Sequence, residues 1–162
     1  MKNDRIDGLF KKYYNEAILY TVSMCRNKAL AEDIVSEAFF KALSSADESI
    51  RSFKPWLLAV CRNEFLMHCR TRSRMADDEI SEETAVQEDE TLNRIIRQEE
   101  YRALYRAISL LPESYKEPVI LFYFNGLSVK EIAAVVGKSE ANVKVLLHRA
   151  REELRKNMEE NR

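Results

Sequence analysis

Between Lys138 and Lys156 this 162-residue chain places six Lys or Arg side chains against three Glu, and the run His148-Arg149-Ala150-Arg151 concentrates them. Guanidinium and ammonium groups attract phosphate, and Lys, Arg and His also donate to base edges. The chemistry open to this stretch is therefore recognition of nucleic acid. At helical spacing, Val143, Leu147, Ala150 and Leu154 recur at i, i+4, i+7 and i+11 and form one apolar face. The opposite face carries Glu140, Lys144, Val145, His148, Arg149 and Arg151. In a helix that enters the major groove these groups reach bases and phosphates, Val145 offering only apolar contact such as with a thymine methyl. A second basic set lies upstream. From Lys54 to Arg74 there are five Lys or Arg against the single Glu64, with Arg70, Arg72 and Arg74 alternating at the end. Solvation is the usual fate of such charges, but their shared sign favours a phosphate contact.

The elements that must position the first set are written into the preceding residues. Ser128 is placed to cap a helix with Glu131 reaching back to it, and Leu127 and Ile132 occupy the two positions of a hydrophobic staple. Ala133, Val135 and Val136 continue that helix for about two turns. Gly137 then supplies the backbone freedom a helix C-terminus needs, in the turn Gly137-Lys138-Ser139. Ser139 caps the basic helix. Any short helix pair with Ser caps and a Gly turn shares these features. The spacing of caps and turn, together with the basic helix end, is what points to a helix-turn-helix.

The run Leu111-Pro112, Val119-Ile120-Leu121-Phe122-Tyr123, Gly126-Leu127-Ser128, Glu131-Ile132-Ala133, Gly137, Ser139, Val143-Lys144 and Leu147 to Arg151 resembles region four of bacterial sigma factors of the sigma-70 superfamily. Response regulators and other activators carry a similar helix-turn-helix, so the N-terminal half decides. Composition comes first. The chain has 46% apolar residues, three Gly and three Pro, with no alternating β-branched runs, which favours an all-α protein of one ordinary domain or two small ones. Charged residues nearly cancel, leaving a net charge of -1. The basic character is local. No apolar run approaches a membrane span and no signal-peptide core is present, so a cytoplasmic protein is expected. Cys25, Cys61 and Cys69 are odd in number, without a C-x-x-C pair, and fit reduced thiols. A zinc site at Cys61, His68 and Cys69 lacks a fourth ligand, so no metal and no cofactor are expected.

From the start of the chain, Ile6, Leu9, Phe10, Tyr13, Ala17, Tyr20 and Met24 form a helical stripe. A second helix from about Lys28 to Leu43 turns Ala31, Val35, Ala38 and Ala42 inward and Asp33, Glu37, Phe40 and Lys41 outward. Phe40 has two readings from periodicity, an exposed binding residue or a ring folded back on the core. Residues 46–52 read as a loop. A third helix starts near Phe53-Lys54-Pro55-Trp56, with Phe53, Leu57, Val60 and Cys61 on one side and Pro55, Ala59, Arg62, Asn63, Leu66 and Arg70 on another. A lone Trp on a helix is more often core than a stacking platform. The run Ala31 to Phe39 resembles the helix of sigma region two that grips the polymerase clamp. Phe53-Lys54-Pro55-Trp56-Leu57 through Arg62-Asn63 to Arg70 resembles its promoter-melting helix. With two signatures in order, the chain is identified as a member of the extracytoplasmic-function, or group four, sigma factors.

The resemblance implies two helical domains: residues 1–74 as region two, 75–91 as a connector, and 92–162 as region four. The connector holds eight acidic residues and no basic one between Asp77 and Glu90, which reads as a flexible tether. It implies a binding protein and not an enzyme, whose partners are core RNA polymerase through its clamp and flap regions, promoter DNA and, as for many relatives, an anti-sigma factor that is often membrane-anchored. No direct membrane insertion is implied. Asp33, Glu37, Phe40 and Lys41 would meet the polymerase. Trp56, Arg62, Asn63, Arg70, Arg72 and Arg74 would hold the minus-ten element. Ser139, Glu140, Lys144, Val145, His148, Arg149 and Arg151 would meet the upstream element. Leu146 departs from the Arg or Lys of many relatives, so one expected DNA contact is missing. The alternative function is a stand-alone helix-turn-helix activator or repressor, for which the helix from Phe53 to Arg70 has no use; an adaptor that binds only protein would leave the last basic face idle. Leu92, Ile95, Ile96, Glu99, Ala103, Leu104, Ala107 and Leu111 predict one helix packed on the final module and ended by Pro112. The next helix, within Glu113 to Asn125, should become regular only after Pro118.

Overall fold

A computed structural model describes the backbone of residues 2–44, 53–72 and 92–160 and the side chains of 7–44, 53–71 and 92–159. Among the described residues every long regular element is an α-helix, as composition predicts. The chain divides into two compact units, Met1–Ile95 and Ile96–Arg162. The predicted loop at 46–52, the connector at 75–91 and Arg74 lie outside the described residues, as does the side chain of Arg72.

The first unit holds α1 (Lys2–Cys25), α2 (Lys28–Ser44) and α3 (Phe53–Arg72), each packed on the other two. The α1 stripe is replaced in its C-terminal half by burial on all sides, since every residue from Ala17 to Val22, and Ser23 after them, is inaccessible. Two helices cover α1 at once, so an amphipathic periodicity is not required there. Arg26, at φ 54°, ends α1 in the left-handed conformation while its N–H donates to the Val22 carbonyl at 2.8 Å. Asn27 Oδ1 then accepts from Leu30 N at 3.0 Å and caps α2. The inward set Ala31, Val35, Ala38 and Ala42 is buried as predicted, joined by Ile34 and Phe39. On α3, Leu57, Leu58 and Cys61 are fully buried, while Val60 is only half-buried. An aromatic chain runs through this core: Phe39 lies 4.9 Å from Phe10 and 6.0 Å from Phe53, and Phe53 lies 5.8 Å from Tyr13 and from Trp56.

In the second unit, α4 (Glu99–Ser109), α5 (Glu113–Tyr123), α6 (Val129–Val136) and α7 (Glu140–Glu160) form one cluster in which α7 packs on the other three. The single helix predicted from Leu92 is broken. Residues 92–95 are helical and group with the first unit, Gln98 is extended at ψ 126°, and α4 starts anew. Arg102 Nη1 stabilises the break by donating to the carbonyls of Ile96 and Arg97 at 2.9 and 3.1 Å. The buried face of α4 is Tyr105 and Ile108, and Ala103 is exposed. Of the predicted stripe Leu92, Ile96 and Leu111 are buried and Leu104 and Ala107 half-buried, but within α4 the fully buried positions lie one residue further on, because the helix starts anew at Glu99. α5 also differs from expectation, since Pro118 lies inside it, buried, and helical geometry begins at Glu113. Only one amide donor, to the carbonyl four residues back, is lost by placing Pro there, and packing against α7 supports the remainder.

Candidate nucleic-acid and polymerase interfaces

The helix-turn-helix forms where its caps predict. Glu131 N donates to Ser128 Oγ at 3.1 Å and Ser128 N to Glu131 Oε1 at 2.9 Å, a complete capping box. Leu127 and Ile132, the staple pair, are both buried. Gly137 is left-handed at φ 71°, and the N–H groups of Gly137 and Lys138 both donate to the Ala133 carbonyl, at 2.9 and 3.1 Å. Ser139 Oγ accepts from Asn142 N at 3.1 Å and starts α7. The hydroxyl of Ser139 is thus committed to the cap, although the residue remains exposed.

These constraints fix which side of α7 faces out. Val143, Leu147, Ala150 and Leu154 are buried, as their spacing predicts. Glu140, Lys144, Val145, His148, Arg149 and Arg151 are all exposed. Leu146 is buried, so the side chain at that position packs into the core of this unit and is not free to meet DNA. His148 Nε2 lies 3.4 Å from Glu152 Oε1 one turn on, a contact that becomes an ion pair only when the imidazole is protonated. Arg151 leans toward α5, where its Nε donates to the Tyr123 hydroxyl at 2.8 Å. Lys138 and Asn142, absent from the predicted set, are exposed beside the cap and extend the same polar end.

In the first unit, α2 presents Asp33, Glu37, Phe40 and Lys41 outward. Phe40 is 61% exposed, which decides between its two readings in favour of an outward ring. Lys41 Nζ is bonded to Glu64 of α3, and that hydrogen bond lifts the ammonium above the ordinary lysine range. Glu64, the lone acid among the bases of α3, is therefore spent on an intramolecular pair. On α3, Trp56, Asn63 and Arg70 fall seven residues apart along one side of the helix; Trp56 is half-buried, and Asn63 and Arg70 are exposed. Arg62 is half-buried. Cys61 is sealed in the core, where burial pushes its thiol up to about 12. Among the described residues no group of three or more His, Cys, Asp or Glu comes together to hold a metal, and no helix is long and apolar enough to cross a membrane.

Two helical units, the second a helix-turn-helix with an open, mostly polar face, give the architecture of a DNA-binding protein. The family models "Sigma-70 region 2" and "Sigma-70, region 4" match residues 9–75 and 101–154. The ECF RNA polymerase sigma factor SigM of Bacillus subtilis is 34% identical over 158 residues, covering 93% of each chain. The sigma factor YlaC of the same organism is 29% identical, covering 98% of this chain and 95% of that one. In fold the chain is similar to the sigma factor RpoE from Bartonella quintana, solved in complex with the anti-sigma factor NepR, at TM-score 0.68 and 21% identity over the whole of both chains. The chain belongs to the sigma-70 family as an extracytoplasmic-function RNA polymerase sigma factor, a transcription initiation factor that binds core polymerase and directs promoter-specific initiation. The match over residues 9–75 removes the alternative of a stand-alone operator-binding regulator, which has no need of region two.

Proposed function

We propose that the residues exposed on three helices divide the work of initiation. On α7, Glu140, Lys144, Val145, His148, Arg149 and Arg151 meet the upstream promoter element, and Ser139 orients them as the helix cap. On α3, Trp56, Arg62, Asn63 and Arg70, with Arg72 and Arg74 beyond, hold the minus-ten element as it opens. On α2, Asp33, Glu37 and Phe40 dock on core polymerase, while Lys41 braces α2 against α3 through Glu64. The functional division is 1–74, 75–91 and 92–162. The protein acts in the cytoplasm by binding and not by catalysis, and an anti-sigma factor, of the kind bound to the RpoE of similar fold, restrains it.

The observation that carries this reading is the sidedness of α7, whose inner positions are buried and whose outer ones are open and mostly polar. Run-off transcription with core polymerase on a randomised promoter library tests it. Wild-type protein should select one class of upstream and minus-ten elements. Lys144→Ala with Arg149→Ala should relax the upstream preference, and Asn63→Ala the minus-ten preference. Transcription with unchanged selection in both variants would reject the assignment.

A further inference from the structure

Arg151 differs from a freely rotating surface arginine. Its Nε–H donates to the Tyr123 hydroxyl at 2.8 Å, and its guanidinium carbon lies 5.4 Å from the centroid of the Phe122 ring and 5.7 Å from that of Tyr123. The two rings meet edge to face at 5.1 Å and belong to the last turn of α5. Tyr123 is 47% exposed, and Arg151 is exposed as well. Among the described residues no carboxylate pairs with Arg151.

The chemistry of this arrangement is directional. A guanidinium offers five N–H donors in a planar fork, and the bond through Nε occupies the one that does not belong to the terminal nitrogens. The Nη groups remain, in the geometry that grips two oxygens of a phosphate. The aromatic rings attract the cation and hold it in place. The resting pose is already ordered, so less freedom is lost when the anion binds.

We propose that Tyr123, with Phe122 beside it, is a positioning residue that holds Arg151 as a preset clamp for one backbone phosphodiester of duplex DNA, flanking the bases met by α7. This rests on the reading of α7 as the DNA-facing helix. It separates Arg151, which grips without reading sequence, from Lys144 and Arg149.

The test uses holoenzyme assembled from core polymerase and the full chain, with promoter duplexes selected by the wild-type protein, and measures affinity against salt. Tyr123→Phe should weaken binding about fivefold, the loss of one hydrogen bond, alike for every promoter sequence. Arg151→Ala should make the slope of log affinity against log salt shallower by about 0.9, one phosphate contact. The double variant should bind no more weakly than Arg151→Ala alone. Additive losses in the double variant, a loss confined to one base position, or an unchanged salt slope in Arg151→Ala would overturn the clamp. Thermal unfolding checks that the variants fold. Should Arg151→Ala fail to fold, Arg151→Lys keeps the charge but lacks the Nε donor: it should match Tyr123→Phe with a preserved slope, and wild-type affinity would overturn the proposal. Should Lys144→Ala and Arg149→Ala both leave promoter binding intact, the DNA-facing assignment of α7 falls and the clamp with it. Normal losses in those two beside an inert Tyr123→Phe would defeat the clamp alone.

Discussion

Phe39 and Phe40 are neighbours of one residue type with opposite environments, and replacing each by Ala separates stability from partner binding. Phe39 is 5% exposed and sits between the rings of Phe10 and Phe53. Removing it opens a cavity where three helices meet, at a cost of about 3–5 kcal/mol. That is a large part of the roughly 5–15 kcal/mol that holds a domain folded. Phe40 is 61% exposed, so its removal should change stability by no more than about 0.5 kcal/mol. If the Phe40 ring is an anchor on polymerase, its loss should instead cost about 2 kcal/mol of binding, roughly a thirtyfold rise in Kd. Urea denaturation followed by circular dichroism measures the first quantity. Titration of fluorescently labelled chain with core polymerase measures the second. Phe39→Ala should move the urea midpoint strongly, and Phe40→Ala should leave it in place while weakening the complex. The reasoning fails if Phe40→Ala unfolds as early as Phe39→Ala, or if it binds polymerase with wild-type affinity.

Gly137→Ala should destabilise the second unit by about 1–2 kcal/mol, because φ is 71° and the new Cβ meets nothing within 4 Å, so the cost is backbone alone; Gly137→Asn should recover part of it in the same thermal melt. Ser128→Ala removes half of the capping box and should cost about 1 kcal/mol in chemical denaturation, with no loss expected only if Glu131 holds the helix start unaided. Arg149→Ala should cost about 1–3 kcal/mol on promoters carrying one particular base if the side chain reads that base, and should weaken all promoters alike if it holds phosphate, as competition binding would show. Burial raises the Cys61 thiol from 9.0 to about 12, so folding favours the neutral form: this stabilisation is complete below pH 9.0 and is lost as pH rises toward 12. Stability measured over that window should therefore fall more steeply in the wild type than in Cys61→Ala, and equal slopes would contradict the burial argument.

Much of this protein is local in origin and was legible in its residues. The cap at Ser128, the left-handed Gly137 and the cap at Ser139 act over three or four residues each, so they set the ends of α6 and α7 without help from the core. The inner face of α7 followed from one uninterrupted period. The outward set on α2 followed from the same logic, apart from Phe40, whose direction periodicity left open. Tertiary structure decided the rest. Whether Phe40 faced out, why residues 17–23 of α1 are buried on every side, and where the helix from Leu92 breaks all depend on which elements pack together. The pairing of Lys41 with Glu64 spans 23 positions, and that of Arg151 with Tyr123 spans 28. Each pair joins two different helices, so periodicity within one helix could not show it. Sequence by itself determined the helices and the chemistry each one carries, because hydrogen bonding and apolar periodicity are short-range. Only the packed units determined which charges are spent within the protein and which stay exposed, because that selection belongs to distances between helices.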